Sequence, residues 1–143
     1  MRAALISGVL VLTSVAGCAN LGLQPAALPP NLDETLERCG EVFTPMIAPP
    51  GIVTAEAVVQ RLRSGGFPPF APPNSRVATP VYGVLADGKP SECRGDGFTR
   101  PGEQLAIWLV VWPDVSGGNG GQAWAIVDAR TGEFIVGDGP PGG

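Results

Sequence analysis

Eight consecutive apolar residues, Leu105-Ala106-Ile107-Trp108-Leu109-Val110-Val111-Trp112, constrain the fold of this chain more than any other stretch. The run is rich in β-branched and aromatic residues and is bounded by Gly102 and Pro113. It is too short to cross a bilayer as a helix. It therefore reads as a β-strand over Glu103–Trp112. Side chains alternate between the two faces of a strand. Leu105, Ile107, Leu109 and Val111 thus point one way, and Ala106, Trp108, Val110 and Trp112 the other. A strand apolar on both faces belongs in the middle of a sheet.

The segments around it supply the rest of an α+β domain. Asn31–Gly40 carries Leu32, Leu36 and Cys39 on one helical face, with Asn31 and Glu34 spaced as a capping box and Gly40 as a stop. Thr54–Ser64 repeats Ala55, Val58, Val59 and Leu62 at helical spacing, with Thr54 placed to cap and Gly65-Gly66 to terminate. Arg76–Ala86 reads as a strand whose Pro80 calls for an edge or a bulge. Gln122–Ala129 and Glu133–Val136 flank a turn at Arg130-Thr131-Gly132. Pro113–Gly121 reads as a flexible connector, because its glycine run lacks the GK[ST] ending of a phosphate loop.

The expected architecture is two short helices packed on one face of an antiparallel sheet of about four strands, forming one domain over 31–137. With the aliphatic face of the central strand under the helices, Trp108 and Trp112 lie on the opposite face, joined by Trp124. Their cover is either the Pro-rich segment around Phe67 and Phe70 or a partner, which makes these three tryptophans the candidate binding residues.

The N-terminus has a different character. Arg2 precedes an apolar run of about thirteen residues, followed by Ser14-Val15-Ala16-Gly17-Cys18. This segment resembles the lipobox of bacterial lipoproteins. That resemblance implies that residues 1–17 are a cleaved signal and that Cys18 becomes a lipidated first residue. It places the chain in the cell envelope, anchored on the outer side of the cytoplasmic membrane or in an outer membrane. Ala19 is not the Asp that resembles an inner-membrane retention signal. A diacylglyceryl group supplies two acyl chains, enough for stable anchoring without a transmembrane helix. Residues 18–30 then read as lipidated cysteine and tether, and 138–143 as a disordered tail.

Three cysteines are present, and lipid on Cys18 leaves Cys39 and Cys93 as an even pair in an oxidising setting. A disulfide between them is expected. It closes a loop of about fifty-five residues, worth roughly 3–4 kcal/mol in the chain-entropy account. Removing seventeen residues from 143 leaves 126, with eight basic and thirteen acidic side chains and a net charge of −5. This balance argues against a nucleic-acid partner.

The chain contains no histidine, which removes Ser-His-Asp and Cys-His nucleophiles and the commonest metal ligand. No metal or cofactor is expected. Arg94-Gly95-Asp96 matches an integrin-binding tripeptide, a match that chance readily supplies in this composition.

Val127-Asp128-Ala129-Arg130-Thr131-Gly132-Glu133 is similar to the VDA-x-TGE turn that closes PepSY and related cystatin-like domains. Those domains open with a capped helix, the place taken here by Thr54–Ser64. The resemblance implies interaction with, or restraint of, a secreted or envelope protein such as a peptidase. The expected function is therefore a non-enzymatic envelope binding module. The alternatives are a small hydrolase working with carboxylates alone and a purely structural envelope component.

Overall fold

The computed structural model describes residues 28–69, 71–87 and 102–140. The chain alternates two helices with five strands: α1 (Pro30–Cys39), β1 (Glu41–Pro45), α2 (Ala55–Ser64), β2 (Val81–Asp87), β3 (Gln104–Ser116), β4 (Gln122–Asp128) and β5 (Phe134–Asp138). The strands form one sheet in the order β1-β2-β3-β4-β5, every neighbouring pair antiparallel. The α+β class and the central place of β3 agree with the sequence. The strand number does not: there are five, and Glu41–Pro45 adds an edge strand beside β2. Pro80 consequently lies just before the first residue of an interior strand, and the amide of Ala78 continues the pairing to Val111 O at 2.9 Å.

The helices do not share a face. Val58 and Leu62 of α2 pack with Tyr82, Trp108, Val110, Trp112, Ala123, Ala125 and Val127. Leu32 and Leu36 of α1 pack instead with Leu85, Ile107, Leu109, Trp124 and Ile126. Residues 107 to 112 alternate between these two clusters, as a strand's period of two requires. The expectation of both helices on one side overlooked what an apolar strand needs, which is a cover for each face. Each helix supplies one.

Pairing across β3 and β4 shows how bulk is accommodated. On the α2 side Trp112 lies opposite Ala123 and Val110 opposite Ala125, so small residues sit beside large ones. On the α1 side the opposed pairs are Leu109 with Ile126 and Val111 with Trp124.

Helix ends follow local chemistry, with one exception. Thr54 caps α2, its hydroxyl accepting from Ala57 N at 3.3 Å. Gly40 ends α1 in the left-handed region at φ 67°, its amide reaching the carbonyls of the last turn. The exception is Asn31, which does not cap α1. That helix starts after Pro29, with Pro30 in its first turn and no side-chain cap. Pro29 is buried and Leu28 packs against the α1-side core, so core packing includes residues before Asn31.

β3 also outruns its expected end. It continues past Pro113 to Ser116, with a register shift against β4 between Trp112 and Ser116 that absorbs the proline. β5 reaches Asp138, one residue into the segment expected to be a disordered tail.

Candidate functional site

The three tryptophans were the first candidates, and the sheet separates them. Trp108 and Trp112 face α2, whereas Trp124 faces α1. Their exposures are 7%, 1% and 3%, so they form no open aromatic groove. The cover on Trp112 is Phe67, whose ring meets it edge-on at 5.5 Å; Phe70 lies outside the described residues. Tyr82 packs edge-on to Trp108 at 5.7 Å, and the indole of Trp108 donates to Val53 O at 2.8 Å. Among the described residues, the buried indole N–H of Trp124 has no acceptor. These side chains are core, and the partner-binding role expected for them is withdrawn on the ground of burial.

A polar cluster that the sequence did not reveal lies at the end of β5. Asp138 is 8% exposed. Its Oδ1 accepts from Gly118 N at 2.7 Å, and its Oδ2 accepts from Asn31 Nδ2 at 3.1 Å and from Asn119 N at 3.4 Å. Asn31 Nδ2 also donates to Gln122 O at 3.0 Å. Both of its contacts are with acceptors, which fixes which end of the amide carries nitrogen.

Close approach explains two of the surrounding glycines. A Cβ on Gly117 would lie 2.6 Å from Asp138 Oδ2, and one on Gly121 would lie 2.7 Å from Asn31 Oδ1. The loop expected to be a flexible connector is thus tied by a carboxylate to the start of α1 and the end of the sheet. All three Asp138 contacts are with the protein itself, so the cluster acts as a structural clasp. Among the described residues, no group of three or more His, Cys, Asp or Glu side chains is placed to hold a metal ion.

The β4–β5 turn takes its form from the residues that resemble the VDA-x-TGE motif. Asp128 Oδ1 accepts from Arg130 N at 2.8 Å and Thr131 N at 2.9 Å, and Thr131 Oγ1 accepts from Glu133 N at 3.2 Å. Gly132 turns the chain at φ 72°. Arg61 of α2 donates to Thr131 O at 2.6 Å, fastening the helix to the turn. Each conspicuous residue of the motif therefore has a local task.

Among the described residues, two open surfaces bear on binding. A groove of about 500 Å³ runs between α2 and the chain before β2, lined by Glu56, Val59, Gln60, Arg63, Thr79 and Pro80 among others. The second is an apolar strip. Val42, Met46 and Ile47 are 52%, 53% and 80% exposed, three of the four large hydrophobic residues exposed among those described. A shallow pocket beside the strip brings Leu28 together with Leu36, Val42 and Phe43, with Asp33 and Glu37 also in its lining.

Cys39 is buried and disulfide-bonded. The other cysteines, Cys18 and Cys93, lie outside the described residues, as do the signal segment 1–17 and Arg94-Gly95-Asp96. No described helix is long and apolar enough to cross a membrane. Comparison with known proteins found no family model, no curated protein and no solved structure that matches this chain.

Proposed function

We propose that this chain is an envelope lipoprotein whose folded domain is a non-enzymatic interaction module held at a membrane by lipid on Cys18. The observation that carries the reading is the order of features at the N-terminus: Arg2, an apolar run, then Ser14-Val15-Ala16-Gly17-Cys18. Residues 1–17 are the signal removed on export. The anchor then lies ten residues before Leu28, where the described structure begins. A disulfide from Cys39 to Cys93 suits the same oxidising compartment.

For the module itself, the turn at Asp128–Glu133 and the capped helix α2 support a PepSY-like role, restraining a secreted or envelope protein such as a peptidase. The groove between α2 and Thr79-Pro80 offers such a partner both apolar and charged contacts. The buried carboxylate Asp138 is engaged by backbone and side-chain amides, which suits a structural task better than acid–base chemistry.

Metabolic labelling with a palmitate analogue tests the anchor. The wild-type protein takes up label and partitions with membranes, while Cys18→Ala takes up none and either stays unprocessed or is released. Equal labelling of the two proteins refutes the reading.

A further inference from the structure

We propose that the strip from Val42 to Gly51 is a membrane-contact surface, on which the domain lies against the bilayer that holds its anchor. The inference rests on the lipoprotein reading above. Its first support is composition: from Val42 through Ala55 the chain has no charged residue, and residues 44–51 are all exposed. A surface run of that length without charge disfavours water and suits the boundary between headgroups and acyl chains.

The second support is backbone chemistry. Polar groups of the main chain are costly in a bilayer unless they are bonded within the protein. Pro45, Pro49 and Pro50 have no amide to satisfy, and the amide of Met46 is bonded to Tyr82 O at 2.9 Å, which leaves the amides of Ile47, Ala48 and Gly51, unbonded among the described residues, to be met at headgroup depth. The same bond disfavours a protein strand as occupant. Because the amide of Met46 points inward to β2, the main-chain groups of the preceding residue point away from it. That residue is Pro45, which has no donor to offer, so an incoming strand would find an outward donor only from Phe43 back along β1.

The third support is the tether. Cys18 lies ten residues before Leu28, so the domain's entry point is held within about 35 Å of the lipid even when the chain is fully extended. That entry point is beside the strip, since Leu28 shares a pocket with Val42 and Phe43. The anchor therefore keeps this edge within reach of the membrane. Asp33 and Glu37 line the same pocket, which makes a zwitterionic surface the better match than an anionic one.

Met46 gives the test its readout, because it is the sole methionine left once Met1 is removed with the signal. Mature protein is reconstituted in phosphatidylcholine vesicles at low protein density and treated with a water-soluble oxidant. Sulfoxide formation at Met46 is then followed by mass spectrometry. The reference is the soluble Cys18→Ala protein, and the mass of the N-terminal peptide reports separately whether Cys18 carries lipid. With lipid present, Met46 should oxidise on the order of tenfold more slowly in vesicles than in the soluble protein, as expected for apolar side chains held out of water.

Ile47→Glu alters a side chain that is 80% exposed, so the fold survives it, and the protection of Met46 should fall to near the soluble rate. Absence of lipid from Cys18 defeats the anchor reading. Lipid on Cys18 with an unprotected Met46 overturns the contact surface alone. Protection that Ile47→Glu leaves intact, or that grows with protein density and so marks a second copy as the cover, also overturns it.

Discussion

Replacing Trp108 and Trp124 by phenylalanine, one at a time, separates packing from hydrogen bonding in this core. Both indoles are buried, on opposite faces of the sheet. The smaller ring leaves a comparable void at either site, costing about 1 kcal/mol. The polar consequences are opposite. Trp108→Phe takes the donor away from Val53 O, which now receives the indole N–H at 2.8 Å, and adds about 1–2 kcal/mol to the loss. Trp124→Phe removes a buried donor that has no acceptor, and the relief of about 1–3 kcal/mol offsets the void. The expected losses are thus about 2–3 kcal/mol for Trp108→Phe and within about 1 kcal/mol of zero for Trp124→Phe. For a domain of this size each kcal/mol moves Tm by about 4 °C. Thermal unfolding of the soluble Cys18→Ala protein carrying each change, followed by circular dichroism, should show Trp108→Phe melting about 8–12 °C lower and Trp124→Phe within about 4 °C of its parent. Equal drops in the two variants would refute the hydrogen-bond assignment.

Two further outcomes follow from the clasp and the cysteines. Asp138→Ala leaves the amides of Gly118 and Asn119 without their acceptor and Asn31 Nδ2 with Gln122 O alone, and should cost about 2–3 kcal/mol in urea titration. Asp138→Asn should recover part of that loss, because one oxygen remains to accept from Gly118 N; an Asp138→Ala loss below about 0.5 kcal/mol contradicts the clasp. Alkylation of unreduced, unfolded mature protein should label neither Cys39 nor Cys93, and a labelled Cys93 would mean that Cys39 bonds elsewhere.

Strong local signals in the sequence correspond to observed elements. Thr54, the spacing of Val58 and Leu62, and Gly65-Gly66 define α2, and the unbroken apolar run defines β3. β1 escaped because five residues ending in proline show no clear alternation, and its strand character comes from pairing with β2. The placement of α1 was recoverable in principle, since two apolar faces on β3 require two covers and Leu32, Leu36 and Cys39 form a second stripe. The clasp was not recoverable. Asn31 and Asp138 are 107 positions apart, and each alone looks like an ordinary capping or surface residue. The aromatic residues misled for a related reason: alternation assigns a face, but it cannot say what lies above that face.

The bond between Asn31 and Asp138 sets a timetable for a chain that is made N-terminus first. The strands follow one another in the sheet as they do in sequence, so each hairpin can form as soon as its second strand emerges. Helix α1 meets its partners over a longer span of the chain. It emerges first and can meet β1 and Leu85 early, yet the rest of its apolar side rests on Ile107, Leu109, Trp124 and Ile126 and its first turn is locked by the last residue of β5. Leu32 and Leu36 stay only partly covered until β4 and β5 have emerged, which leaves the earliest segment among the last to be fully protected from aggregation and proteolysis.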